Sequence, residues 1–149
     1  MSFEKRILIM KKTILLLFIS VVALSCGNNT ISESDLAKLN GYWEIETAVM
    51  PDGKEKEYKV NTTIDFFELT GKEGFRKKVM PQFDGSYRVN DLSEKITIEE
   101  LDRKTYIKYV TDYAKWEEEI LELSDDKLVL KNSHDMEYHY KRAEPFSVK

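Results

Sequence analysis

Two histidines, a glutamate triplet, a basic triplet and a single cysteine are the side chains here whose types and spacing offer chemistry. His134 and His139, with Asp135 and Glu137 between them, invite a metal reading. Along an extended chain, however, the two imidazoles leave on opposite faces, so one ion cannot take both. His134 is expected in a turn after Asn132-Ser133, and His139 on an outer face between tyrosines; no metal site is expected. Glu117-Glu118-Glu119 resembles a calcium or acid–base cluster only on paper, because consecutive strand residues alternate faces and their carboxylates diverge. A solvated edge that resists aggregation is the expected role. No Gly-x-Ser-x-Gly elbow supports a nucleophile, and the scattered glycines form no phosphate loop. The sequence therefore predicts no catalytic residue, no cofactor and no enzyme. Arg76-Lys77-Lys78, beside Met80-Pro81, is the one local reversal of an acidic surface. It reads as a solvated strand and loop, or as a contact for an acidic partner or ligand head group.

The cysteine has a different use. Lys11 and Lys12 precede an uncharged run from Ile14 to Leu24, broken only by Ser20, and Ala23-Leu24-Ser25-Cys26 follows. A positive n-region, a short apolar core and a small residue before the thiol make a secretory signal peptide with its processing site. The run is well short of the ~20 apolar residues that span a bilayer, so a permanent transmembrane helix is disfavoured. The Ala-Leu-Ser-Cys end resembles a bacterial lipobox, which implies that Cys26 is acylated and becomes the first mature residue. Met10 offers an alternative start for a signal of standard layout. Stable attachment by acyl chains takes more than one chain, at about 0.8 kcal/mol per buried CH₂. No Asp follows Cys26, where many Gram-negative sorting rules would use it for inner-membrane retention. Outer-membrane anchoring is expected.

Three segments follow: a signal peptide (1–25), an acylated cysteine with a flexible polar tether (26–38), with one helical turn near Asp35, and a single domain (39–149). The whole chain carries a net charge of −4, and without residues 1–25 it holds 19 basic against 26 acidic side chains, or −7. That balance excludes a basic stripe for nucleic acid and electrostatic adhesion to anionic lipid. With one cysteine in all, no internal disulfide can form and no thiol beyond Cys26 is available for catalysis.

The elements that must position any site are short strands. Leu39 to Val49 alternates, placing Gly41, Trp43, Ile45, Thr47 and Val49 on one face and Glu44 and Glu46 on the other. Pro51-Asp52-Gly53 marks a turn. Further strands are expected over 60–69, 75–80, 87–89, 95–101, 105–113, 116–123, 127–131 and 136–142. Ile120 and Leu121 break the alternation of their strand, which predicts a bulge or a two-sided burial there. About eight or nine strands at regular spacing, with no helical pattern between them, predict an all-β antiparallel meander, closed as an up-and-down barrel or stacked as a sandwich, with closure favoured because it removes the exposed edges.

Gly41-Tyr42-Trp43 at the start of the first strand resembles the Gly-x-Trp signature that opens lipocalin barrels. Met136, Tyr138, Tyr140 and Arg142 share a face of the last strand, so Arg142 matches the arginine that packs over that tryptophan in the family. The order of elements, with Leu123-Ser-Asp-Asp-Lys-Leu-Val-Leu130 as a late hairpin, is similar to lipocalin-like lipoproteins of Bacteroidetes-type bacteria. The resemblance covers residues 39–142 and implies a small lipocalin-like barrel of about eight strands.

The aromatic supply is rich: Phe66, Phe67, Phe75, Phe83, Tyr87, Tyr106, Tyr109, Tyr113, Trp116, Tyr138 and Tyr140 lie within the strand region. They either fill the core or wall a pocket with a few polar anchors. Tyr87, Tyr138 and Tyr140, with Arg76 or Arg88 as counter-charges, are the expected lining. The function expected is non-catalytic binding of a small apolar or amphipathic molecule by a monomeric envelope lipoprotein. A filled barrel serving as a protein-interaction module is the alternative.

Overall fold

The computed structural model describes residues 30–143, the side chains of residues 90 and 91 excepted. Cys26, the signal peptide and its processing site lie outside the described residues. Nine strands follow one another: β1 (Gly41–Val49), β2 (Glu55–Glu57), β3 (Ile64–Thr70), β4 (Glu73–Pro81), β5 (Tyr87–Leu101), β6 (Lys104–Val110), β7 (Lys115–Leu123), β8 (Lys127–Asn132) and β9 (Glu137–Arg142). From β3 to β9 each strand pairs antiparallel with the next. Pairing of β1 with both β3 and β9 closes eight strands into a barrel, and β2 adds to the far half of β1. The all-β antiparallel barrel favoured by strand spacing is the fold observed, in the form that the Gly-x-Trp resemblance implied.

Side-chain parity follows the pleat and sets the interior. Trp43, Phe67, Leu69, Ile96, Ile98, Ile107, Tyr109, Ile120, Leu123, Leu128, Leu130 and Tyr140 form one buried cluster with Leu36 and Leu39. The register slips between Ile120 and Glu122, where broken alternation forecast a bulge or a two-sided burial. A second slip, between Ile45 and Thr47, overturns the expected face of β1. One extra residue inverts the parity beyond it, so Ala48 is buried while Thr47 and Val49 are only half-buried.

Residues 30–39 are part of the domain, against the expectation of a free tether up to 38. Helix α1 (Glu33–Leu36) begins at Ser32, whose hydroxyl accepts a hydrogen bond from the Asp35 amide, and a 3-10 turn (Ala37–Leu39) follows. Leu36 and Leu39 sit three apart on one face of this turn and are wholly buried in the barrel end. The Ile31 amide donates to Thr105 Oγ1 at 2.9 Å. Burial of two leucines outweighs the polar composition that suggested a linker.

The two strands expected at 87–89 and 95–101 are one strand. Between Lys77/Ser93 and Val79/Val89, two steps on β4 face four on β5. Beyond this irregularity the outer part of the β4–β5 hairpin forms an arm, and Tyr87 stacks on Tyr42 at 4.1 Å. Tyr42 in turn lies 4.7 Å from Phe66, on the outer wall.

Candidate functional site

The barrel has two unlike ends. At one lie the turns between β3 and β4, β5 and β6, and β7 and β8, together with residues 31–40. Trp43 plugs this end: it is fully buried, and its indole donates to the Leu39 carbonyl at 2.8 Å. The Arg142 guanidinium covers the ring at 3.8 Å and donates to the carbonyls of Asp125, Asn40 and Lys38 at 2.8, 2.7 and 2.7 Å. Gly41 has φ +114°, and a Cβ there would stand 3.0 Å from Arg142 Nη1. The Gly-x-Trp glycine is thus required twice, for its backbone and for the approach of the arginine. Asn40 clamps β3 alongside, accepting from the Leu69 amide at 2.6 Å. This end is sealed.

The opposite end holds charge. Arg76 projects inward from β4 and is 7 % exposed, against the expectation of a solvated basic triplet. It pairs with Glu94 on β5 through Nε. Its Nη1 lies 3.8 Å from Glu118 Oε2 on β7, and its Nε lies 4.0 Å from Asp65 Oδ1 on β3. Its face rests 4.3 Å from the Tyr109 ring centre, and Tyr109 stacks on Trp116 at 5.0 Å. Lys78, half exposed, reaches Asp65 Oδ1 at 2.5 Å, and an ammonium at that distance serves as its partner even though hydrogen-bond geometry is not met. The buried Tyr109 hydroxyl and Glu118 carboxyl face one another.

These groups shape one another's protonation. Burial works against the charged form of Arg76, but the surrounding negative groups outweigh it and keep the guanidinium charged. Tyr109 is itself held neutral, pushed up chiefly by burial and then by the Glu118 charge, so the carboxylates of Glu94 and Asp65 supply that attraction. Glu118 is raised by burial, with Tyr109 and Arg76 opposing. Tyr140 is raised well above the usual phenol value, by burial first and then by Asp65 and Glu118. Above the cluster the wall is half-buried Trp116, Tyr138 and Met136. Asn132 Nδ2 donates to the Tyr138 hydroxyl at 3.2 Å.

An open space lies outside the wall. The β4–β5 arm and the 59–62 loop frame a groove of about 500 Å³, lined by Ile64, Met80, Pro81 and Tyr87 among apolar residues and by Glu44 and Lys59 among charged ones.

Of the expected lining, Arg76, Tyr138 and Tyr140 face the interior together. Tyr87 and Arg88 do not join them: both ride on the arm, Tyr87 against the outer wall and Arg88 exposed. Glu118 and Glu119 are buried, which corrects the reading of 117–119 as a solvated edge. Glu118 points inward with Trp116 and Ile120, whereas Glu119 lies on the outer face beneath Lys104 and Lys131. His134 is exposed in the β8–β9 turn, and His139 faces Glu137 at 3.2 Å. Among the described residues no group of His, Cys, Asp or Glu has metal-binding geometry.

Residue-by-residue reading missed Asp65, Glu94 and Glu118. Signals existed for two of them. Asp65 interrupts the apolar run Ile64-Asp-Phe-Phe67, and Glu118 shares strand parity with Trp116 and Ile120.

A model of the lipocalin-like domain matches residues 39–130. The fold is similar to that of a lipocalin-like protein from Bacteroides uniformis, with 12 % identity and a TM-score of 0.45 over 71 % of this chain and 99 % of that one. It is also similar to an uncharacterized protein from Bacteroides eggerthii (15 % identity, TM-score 0.45, 70 % and 99 % covered). Apocrustacyanin C1 is a further likeness (12 % identity, TM-score 0.45, 76 % and 66 % covered). No curated protein matches the chain.

Proposed function

The chain belongs to the lipocalin-like domain family, and on that footing we propose that it is a non-catalytic binding protein whose barrel mouth takes a small amphipathic molecule. The observation that carries this is the contrast between the ends. One is plugged by Trp43, Leu36 and Leu39 under Arg142, while the other sets half-buried aromatics above a polar floor. Apolar walls with a few convergent polar groups are the usual construction of a small-molecule site. Barrels of this family typically bind small hydrophobic ligands and are generally not enzymes. In this reading acyl chains on Cys26 anchor a monomer to the outer membrane, and the thiol is consumed by that attachment.

Native mass spectrometry of the full chain purified from its own host tests the proposal. A retained molecule with an apolar moiety is the expected result. Bare polypeptide accompanied by a stoichiometric partner protein would replace it with the second reading, an envelope interaction module. The groove between the arm and the outer wall favours that reading, since it lies outside a barrel whose lower half is filled.

A further inference from the structure

The groove outside the barrel wall has a fixed frame. Asn61 ties the 59–62 loop to β1: its side-chain amide donates to the Ile45 carbonyl at 2.7 Å and to Glu44 Oε1 at 3.0 Å. On the other side Tyr87 holds the arm by stacking on Tyr42 at 4.1 Å. Between these walls lie apolar side chains from three elements: Ile64 of β3, Met80 and Pro81 of β4, and Val60 of the loop, which is 82 % exposed. A concave space of about 500 Å³ with such a lining has the size and character of a binding site. An apolar occupant gains free energy by taking that surface out of water.

Ala143 points to the occupant. It lines the groove, and its amide donates to the Tyr42 carbonyl at 2.9 Å, one step beyond the Trp43–Arg142 pair of the β1–β9 ladder. The chain that follows reads Glu144-Pro-Phe-Ser-Val-Lys149 and lies outside the described residues. Alternate residues of a strand address the same neighbour, so the next donor to β1 would be residue 145. That residue is proline, which has no N–H to give. The ladder thus has no donor to continue on, and it stops at the groove's edge. Six extended residues reach about 20 Å. Phe146 and Val148, two apart, share one face of such a segment. Charge agrees as well: the groove carries one acid and one base, Glu44 and Lys59, and so does the segment, in Glu144 and Lys149.

We infer that residues 144–149 of the same chain fill this groove, with the Phe146 ring against Met80 and Val60, and so strap the β4–β5 arm to the outer wall. The barrel mouth plays no part in this. An outer groove filled from within the chain is not free for a partner protein, so it ceases to favour an interaction module.

Nuclear Overhauser contacts in the full chain test the strap. Expected are contacts from the Phe146 ring protons to the methyl groups of Met80 and Val60, within one chain when labelled and unlabelled protein are mixed. Phe146→Ala should speed amide exchange across residues 59–62 at least about tenfold, while Ser147→Ala, on the other face, leaves it within about twofold. Contacts found only between labelled and unlabelled chains would make a second copy the occupant and overturn the inference. Missing contacts, or exchange over 59–62 unchanged in Phe146→Ala, would overturn it too, and a bound small molecule or partner protein touching Met80 and Val60 instead would name the true occupant. None of these results bears on ligand binding at the barrel mouth.

Discussion

The two ends of this barrel are built from similar parts to opposite purposes. Each stacks an arginine on an aromatic ring: Arg142 on Trp43 and Arg76 on Tyr109. At the sealed end the guanidinium lies at the rim and satisfies three backbone carbonyls, so no side-chain charge is needed to hold it. At the mouth the guanidinium is deep inside the wall, and carboxylates must be buried to keep it charged. The first arrangement closes with donors and acceptors matched. The second gathers three carboxylates around one buried guanidinium and Lys78. If the proposed binding holds, stability and binding fall to different ends.

Substitutions that strike each end separately sharpen this contrast. Trp43→Ala should cost about 3–5 kcal/mol, because a large, fully enclosed side chain leaves a cavity. Arg76→Ala should cost about as much, since carboxylates lose their buried partner. The two losses part company with pH in urea melts. The Arg76→Ala deficit should shrink on acidification as the stranded carboxylates take up protons, whereas the Trp43→Ala deficit should stay constant. Equal pH profiles would break the comparison.

Arg142→Ala is expected to cost about 2–3 kcal/mol through the lost cation–π contact and charged hydrogen bonds. Gly41→Ala should cost about 1–3 kcal/mol, from strain at positive φ and the crowded arginine. Both should lower the thermal midpoint without changing ligand affinity; a loss of affinity would mean that the ends are coupled.

The smallest effect concerns Glu118. Its folded carboxyl is raised above the ordinary value of 4.5, so between the two values the folded state holds a proton that the unfolded chain has released. Stability there falls as pH rises. Relative to Glu118→Gln, the wild type should gain stability as pH drops from 7 toward 4.5, and a gain on raising pH instead would reverse the assignment of Glu118 as buried and under-compensated.

Much of the sealed end was legible in one dimension. Gly41, Trp43 and Arg142 could be paired by strand parity because both strands alternate regularly through those positions. The mouth was less legible. Arg76 sits in a run of three basic residues that composition assigns to solvent, yet β4 runs through a closed wall, and alternate residues must face inward whatever their charge. Tyr87 and Arg88 were misplaced for a different reason. Four steps face two in the β4–β5 ladder just before the arm, and no local pattern announces that surplus. Leu36 and Leu39 looked like isolated apolar residues in a polar leader until the barrel end supplied a surface to cover.

What the sequence determined alone was the set of local choices: strand spacing, turn positions, an irregularity at Ile120-Leu121, a glycine before a tryptophan, and an acidic chain with one cysteine after an apolar run. These depend on propensity and short-range pattern, which neighbours along the chain decide. Which carboxylates are buried, what Arg76 faces and where residues 31–39 pack were decided only on closure. They depend on side chains from strands β3 to β7 meeting across the barrel, and a period of two says which wall a residue faces but not what stands opposite.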